Sequence, residues 1–452
     1  MSAQSVLGKQ WISGSFRQWG LPERLGLDER NVLDEPLVIT GVGLITSLGS
    51  DCKSVWDAIR QGRSGVRPLM GINGIPDGML LAATVELERI SARSLKVLHL
   101  CDIAAGEALH DAGLSGDQVD RSNMGCWVSA CMPDDRGMLD PEAATLADRD
   151  SNIKWYDQFM PHVAHSHVMQ KYRLFGPNMS HSTACASGLI EILSATRALR
   201  DGQCDAALVG SGEAVSRMLA AGFHRMGVLA YDEAPEQACR PFDSQRSGFV
   251  LGEGAAMFVV ERLTHALKRG ARIYAQIDSC RCLSEAHHIT GLDEKASTLT
   301  RLIRDTLTEA GLEPRDVGYV NAHGTATEQN DKVEMRGICN VFGDDTSSYC
   351  VSATKSMHGH LLNAAGCVEL AITTLAMRDG FAPPTINLTN PDPECRFDGV
   401  PLVGRDKQFR HALKLSLAFG GHLVSVCLTR WNDSRTGFAY PSPRSLSSAQ
   451  AA

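Results

Sequence analysis

The chain has no long hydrophobic run. Its longest unbroken apolar stretch is Ala255–Val260, against the ~18 or more residues of a membrane-spanning helix, so no membrane span is expected. Nor is there an excess of positive charge. Lys and Arg number 44 and Asp and Glu 52, a net charge of −8 over 452 residues, which argues against nucleic-acid binding driven by bulk charge. The N-terminus lacks a positive start followed by an apolar block, so no secretory signal is expected. The fourteen cysteines lack the regular spacing of a disulfide framework and read as reduced thiols in a cytoplasm. No repeat of solenoid length is present. What is there is an ordinary globular composition, 43% hydrophobic and 21% charged, in a chain long enough to bury a sizeable core without staples.

Residues 1–35 show no sustained period and read as an appendage, with Trp11, Phe16 and Trp19 free to pack on a surface or a partner. The stretch from Asp433 onward is rich in Ser, Pro, Ala and Arg and reads as a disordered tail. Between them, strand-like and helix-like segments alternate. Leu37–Thr40, Met124–Ser129, Ala206–Val209, Met257–Val260, Ile273–Ile277, Val317–Val320, Leu413–Phe419 and Val424–Leu428 are strand candidates. Val97–Leu109, Ser297–Ala310 and Leu361–Met377 have helical spacing. This alternation predicts a layered α/β architecture. Thr40-Gly41-Val42-Gly43 after a strand imitates the opening of a dinucleotide loop, but the third glycine would fall at Thr46. A Rossmann reading is therefore rejected.

Three segments carry chemistry. In Ser182-Thr183-Ala184-Cys185-Ala186-Ser187-Gly188, small residues surround one cysteine, and Leu189, Ile192, Leu193 and Leu199 follow on one helical face. Cys185 is thus placed near a helix N-terminus, where the dipole favours a thiolate; the plainer reading is a buried structural thiol. Asn321-Ala322-His323-Gly324-Thr325 follows a strand and puts a histidine at a cleft mouth, or simply in a loop. Lys355-Ser356-Met357-His358-Gly359-His360 runs into a helix opened by Ala364, Ala365 and Gly366, small enough to approach another backbone; here the plainer reading is a solvated lysine and a loop histidine. Cys280, Cys282, His287 and His288 match no standard zinc spacing, and a solvated or packing role suits His162, His165 and His167 better than a functional one.

Together, Thr-Ala-Cys-Ala-Ser-Gly, Asn-Ala-His-Gly-Thr and Lys-Ser-Met-His-Gly-His resemble the beta-ketoacyl-acyl carrier protein synthases of fatty acid and type II polyketide synthesis. Arg240-Pro241-Phe242-Asp243, the Gly248–Gly254 segment, Asn387 and Phe419-Gly420-Gly421 follow in family order. The likeness covers about residues 36–431, and several ordered motifs make it specific. It implies an α/β thiolase fold of duplicated αβαβα five-layer architecture. The divisions implied are an N-terminal extension at 1–35, a half bearing the nucleophile at 36–270, a half bearing both histidines at 271–432, and a tail at 433–452. The implied activity is decarboxylative condensation of an acyl group on Cys185 with a malonyl thioester carried by acyl carrier protein.

The resemblance implies roles as well. His323 and His360 donate to the malonyl thioester oxygen, and the backbone N–H groups of Cys185 and Phe419 hold the acyl oxygen. Lys355 supports the site, paired with Glu334. Thr325 and Thr327 bind the phosphopantetheine arm, while Phe249 and Phe419 line and gate the pocket. No metal and no enzyme-bound cofactor is required; the phosphopantetheine belongs to the acyl carrier protein, for which Arg63 and Arg67 are candidate docking residues. A homodimer, or a heterodimer with a related ketosynthase-like subunit, is implied. Three departures stand out. Leu423 replaces an expected Asn that helps order the active-site loop. Asn330 replaces a glycine usual in fatty acid members. Cys131-Met132-Pro133 occupies a region, Ser129–Asp135, where glycines are expected. Alternatives are a cysteine acyltransferase or hydrolase that does not decarboxylate, and a non-condensing partner subunit, which would characteristically lack the cysteine.

Overall fold

The computed structural model describes residues 35–431 apart from 73, 88–94, 117, 131–159 and 345–347. Residues 1–34, the tail from 432 and the Cys131–Pro133 departure lie outside the described residues. Ten strands form one sheet: β1 (Leu37–Thr46), β2 (Met124–Ala130), β3 (Asn178–Met179), β4 (Ala206–Glu213), β5 (Gly254–Arg262), β6 (Ala275–Ser284), β7 (Val317–Asn321), β8 (Cys350–Ser352), β9 (His411–Ala418) and β10 (His422–Arg430). Their spatial order is β8-β7-β9-β10-β6-β1-β5-β4-β2-β3. Read from either edge inward, the order is third, second, fourth, fifth and first strand of a five-strand set. Directions repeat too. The second strand pairs parallel to the third and fourth, and the fourth-fifth and fifth-first pairs are antiparallel, in both sets. The sets join where β1 pairs antiparallel with β6 over Leu37–Ile39.

Helices cover and divide this sheet. Helix α1 (Lys96–Asp111) packs on β1, β4 and β5, and α3 (Ser297–Ala310) packs on β6 and β10 with α4 (Glu328–Phe342) beside it. Between the sets lie α2 (Ser187–Arg200) and α5 (Ala365–Asp379), each touching strands of both. Helix α5 is buried from Ala365 to Met377, as expected of a helix apolar on nearly all faces. Thr373 and Thr374 satisfy their hydroxyls on the carbonyls one turn back, at 2.7 and 2.8 Å. Among the described residues no helix is long and apolar enough to cross a membrane.

The Gly41/Gly43 pair now has a physical reason. A Cβ on Gly41 would lie 2.2 Å from the Ala108 carbonyl oxygen, and one on Gly43 1.9 Å from that of Ala104. The glycines let the α1 backbone descend onto β1; they do not cradle a phosphate. Gly43→Ala is therefore expected to destabilise the protein by about 1–3 kcal/mol through overpacking, read as a lower midpoint in urea at unchanged m-value.

Sequence periodicity placed most of these elements but clipped the strands. Leu37–Thr40 extends through Gly41 and Gly43 to Thr46, and Ala206–Val209 runs on to Glu213 through two glycines. The helix expected over Leu361–Met377 opens with a tight turn at Leu362–Ala364 before α5 proper. His165 is buried against Cys126 and Asn178, a packing role, whereas His167 is half-buried and pairs with Asp102 at 2.9 Å.

Candidate active site

Cys185 sits in a single tight turn, Ala184–Ala186, that leads into α2. Ala184 has φ of +48°, a left-handed conformation uncommon for a side chain and a form of local strain found at functional turns. The turn is tied down by Ser187, whose Oγ accepts from the Thr183 N–H at 2.9 Å and donates to the Ala184 carbonyl at 2.8 Å. Directly behind, Gly188 and Gly366 let α2 and α5 cross closely: a Cβ on Gly188 would meet Cys367 Sγ at 2.9 Å, and one on Gly366 would meet Leu189 at 2.8 Å. The small residues flanking the cysteine and opening α5 thus fix where the thiol stands.

His323 follows β7, and His360 follows the short helix Lys355–His358. Their rings lie edge to face at 5.2 Å, and a nitrogen of each is within 4.8 Å of the other and of Cys185 Sγ. The tautomers follow from their partners. The Leu362 N–H donates to His360 Nδ1 at 3.2 Å, and the Lys355 ammonium, which can only donate, lies 3.3 Å from His323 Nδ1. In both rings Nδ1 is the acceptor, so Nε2 carries the hydrogen. Burial, together with the ammonium of Lys355, holds both imidazoles well below the usual range and hence neutral. Cys185 and the two histidines form, among the described residues, the one group whose donor types suit a metal. With both Nδ1 atoms taken and both Nε2 atoms protonated, no ring lone pair is free for an ion, so these residues do not fit a metal site.

Lys355 is buried and spends its three donors on His323 Nδ1, the His323 carbonyl at 2.5 Å and Glu369 Oε1 at 2.5 Å. This corrects the expected pairing with Glu334. Glu334 instead accepts the backbone N–H groups of His323 at 2.5 Å and Gly324 at 2.6 Å, and burial raises its pKa. The other oxygen of Glu369 pairs with buried Lys414 at 2.5 Å. Burial works against the Glu369 charge, but the two ammoniums hold its carboxyl below the ordinary range. Sequence reasoning missed Glu369 and Lys414. The signal was present: each is a lone charge inside an apolar run, Cys367-Val368-Glu369-Leu370 and Leu413-Lys414-Leu415, and charges in such runs are buried when paired.

The thiol also departs from expectation. Burial pushes Cys185 up to about 12, with Lys355 pulling the other way. Burial thus disfavours the thiolate, against the lowering expected from the helix start.

A cavity of about 480 Å³ opens onto these groups, lined by Cys185, His323, His360, Thr325, Thr327, Phe249 and Phe419; Lys355 and Glu334 stand behind it. The Thr325 and Thr327 hydroxyls are 2.9 Å apart. Phe249 stacks edge to face on His360 at 5.1 Å and on Phe223 at 5.3 Å. At the cavity mouth, Gly420 and Gly421 adopt φ of +86° and +75°, conformations that favour glycine. Their loop is held by backbone bonds, Gly420 N–H to the Ile289 carbonyl at 2.7 Å and Glu285 N–H to the Gly421 carbonyl at 3.0 Å. Leu423 lies buried in the core opposite Leu417 and Leu283, so loop order here does not need the missing Asn side chain. Asn330 Nδ2 donates to Asp331 at 3.1 Å. Arg63 and Arg67 are exposed, and Arg67 is tethered to the Ser64 and Val66 carbonyls.

Comparison with known proteins bears on the family and the fold. The beta-ketoacyl synthase N-terminal domain family matches residues 34–266, and the C-terminal domain family matches residues 274–389. The chain is 37% identical over 411 residues to 3-oxoacyl-acyl-carrier-protein synthase 2 of Coxiella burnetii, covering 88% of this chain and 99% of that one. It is 35% identical over 400 residues to the Staphylococcus aureus enzyme of the same name, covering 85% and 96%. Among solved structures it is similar to a type II polyketide ketosynthase in complex with its acyl-carrier protein, at TM-score 0.80 and 30% identity over 88% of this chain and all of the other. It is likewise similar to a beta-ketoacyl synthase from Burkholderia phymatum, at TM-score 0.76 and 30% identity over the same shares. The duplicated, layered α/β architecture is the thiolase fold of these ketosynthases. On family match, sequence identity and fold together, the chain belongs to the beta-ketoacyl synthases.

Proposed function

We propose that this protein is an acyltransferase of the 3-oxoacyl-acyl-carrier-protein synthase type, which condenses an acyl group held on Cys185 with malonyl-acyl carrier protein. The observation that carries this reading is the convergence of one thiol and two neutral, Nε2-protonated histidines on a single cavity. In the first half-reaction, the Cys185 sulfur attacks the carrier thioester carbon, the carrier thiol leaves, and the cysteine proton passes to it. Burial opposes thiolate formation, and the Lys355 charge together with the Nε2–H donors favours it. In the second, the malonyl thioester oxygen accepts from His323 and His360. The bond to the carboxylate breaks, carbon dioxide leaves, and its electron pair forms an enolate. The enolate carbon attacks the acyl carbonyl, held by the backbone N–H groups of Cys185 and Phe419, and the thiolate is expelled and takes up a proton from solvent. Neutral donors suit this step, because charge develops on the substrate oxygen and needs no proton transfer.

The other parts of the reading follow from placement. Thr325 and Thr327 would bind the phosphopantetheine arm of the carrier, and Phe249 and Phe419 would gate the pocket. Arg63 and Arg67 would meet an acidic carrier. A second subunit, identical or related, would join at the exposed edge strand β3, next to exposed Phe175; one similar structure is a ketosynthase with its chain length factor. The division into halves would fall near Gly270, between the two five-strand sets. Thirteen described cysteines are free, which supports a reducing cytoplasm as the compartment.

The test follows carbon dioxide release and product mass with acyl- and malonyl-carrier protein. The wild type is expected to extend its acyl chain by two carbons. His323→Ala and His360→Ala are each expected to slow malonyl decarboxylation by about 10²–10³-fold, the effect of removing one oxyanion donor. Acyl-Cys185 that forms without carbon dioxide release would turn the reading to a plain acyltransferase or hydrolase.

A further inference from the structure

Lys414 lies inside β9, between Leu413 and Leu415, and is fully buried. Neither the cavity nor the proposed mechanism uses it. Burying an ammonium in an apolar strand is unfavourable unless it is paired, so its contacts have to explain its presence. Its Nζ lies 2.5 Å from Glu369 Oε2, 3.1 Å from the Ala322 carbonyl and 2.5 Å from the Leu415 carbonyl. Ala322 is the residue before His323. The main chain at His323 is therefore held by charged groups on three sides: Glu334 takes its N–H, Lys355 its carbonyl, and Lys414 the carbonyl that precedes it. The two lysines share one carboxylate, each on its own oxygen of Glu369.

We propose that Lys414 is a positioning residue for the condensation: its ammonium, anchored on Glu369, fixes the backbone that aims His323 at the cavity, and its deprotonation sets the alkaline limit of the reaction. The proposal rests on the role given to His323 above.

The charge balance around Lys414 explains why titration matters. It faces Glu369 from α5, Lys355 and His358 from the short helix, Glu334 from α4, and the two active-site histidines. The histidines are neutral, so on the alkaline side, where Glu334 is ionised as well as Glu369, two ammoniums oppose two carboxylates. Losing the Lys414 proton leaves one ammonium against two carboxylates, net negative beside the position where the substrate oxygen becomes negative, and frees the Ala322 carbonyl. Burial and the neighbouring ammonium both press Lys414 toward that loss, with Glu369 resisting.

The experiment measures decarboxylation of malonyl-carrier protein against pH in the full-length wild type, Lys414→Met and Lys414→Arg, beside the rate of Cys185 alkylation by iodoacetamide. In the wild type an alkaline limb below the ordinary lysine range is expected. Lys414→Met is expected to lose roughly 10- to 100-fold in decarboxylation at neutral pH, as when an orienting partner is removed, with alkylation changed less than about threefold because Cys185 is held by other elements. Lys414→Arg, whose guanidinium does not deprotonate, is expected to recover most of the neutral rate and to shift the limb upward. A folded Lys414→Met with wild-type rate and limb overturns the proposal, as does a Lys414→Arg limb that does not move. Should Lys414→Met fail to fold, the wild type still decides, since a flat profile up to the ordinary lysine range overturns it alone. Full decarboxylation by His323→Ala would sink the histidine assignment instead, whatever Lys414 does.

Discussion

Replacing Cys185 with alanine is expected to abolish chain extension, by about four or more orders of magnitude. The thiol forms the covalent intermediate, and nothing near it substitutes. His323 and His360 are neutral and present N–H donors, and Lys355 has all three donors engaged behind them. None of these is a nucleophile. The substitution removes little volume from a half-buried turn, and the turn is held by Ser187 rather than by the sulfur, so the fold is expected to persist. Malonyl decarboxylation draws on the histidines and not on the thiol, and a measurable rate of carbon dioxide release is expected to survive in Cys185→Ala. Mass spectrometry of the wild type should find the acyl group on Cys185 and on no other of its cysteines. Extension by the alanine variant at a tenth of the wild-type rate would refute the nucleophile assignment.

The largest expected effect on stability is at Glu369. Its carboxylate is completely buried and lies between two completely buried ammoniums. Glu369→Ala leaves Lys355 and Lys414 facing each other without the carboxylate on which both rest. Removing one member of a buried ionic group costs about 3–5 kcal/mol, a large share of the roughly 5–15 kcal/mol that keeps a domain folded. Removing the excess charge as well should return much of the loss, so Glu369→Gln with Lys414→Met is expected to be more stable than Glu369→Ala alone. Such non-additivity between contacting residues is read by urea unfolding of the singles and the double. The sign of the pH effect follows from the direction of the shift. The Glu369 carboxyl is held below its ordinary value, so its contribution is present above the unfolded value and is lost as pH falls through the folded one. The wild type should therefore lose more stability on acidification than the double variant.

The site was legible in the sequence where chemistry is written as short local words. Cys185 and His323 stand at turns that lead from a strand into a helix and His360 at one between two helical segments, and the residue types around each turn are dictated by that turn. Ser187 locks it, glycine passes a neighbouring helix, and small side chains leave room for substrate. The counter-ion of Lys355 was not legible. Glu334 and Glu369 are both buried glutamates near it, and linear spacing carries no information on which carboxylate reaches an ammonium across three packed elements. The direction of the Cys185 shift was hidden for the same reason. A helix start is visible in sequence, whereas the desolvation that outweighs it is created by segments distant along the chain, among them Phe249 and Leu362. Strand ends were lost at glycines such as Gly41 and Gly210. Their absent side chains read as breaks, but they exist to admit a neighbouring backbone or side chain, as with Ala108 and Met257.

The two five-strand sets share one plan but divide the chemistry unequally. Cys185 belongs to the first, whereas His323, Lys355, His360, Glu369 and Lys414 all come with the second. On the ribosome this becomes an order in time. At a synthesis rate of roughly 5–20 residues per second, Lys414 follows Cys185 by about ten to forty-five seconds. Through the greater part of that interval, until His323 and His360 are made, the nascent chain holds a nucleophile without the donors for the malonyl thioester oxygen. Condensation is switched on by the arrival of the second set, so a malonyl thioester encountered by a chain that still lacks it keeps its carboxylate.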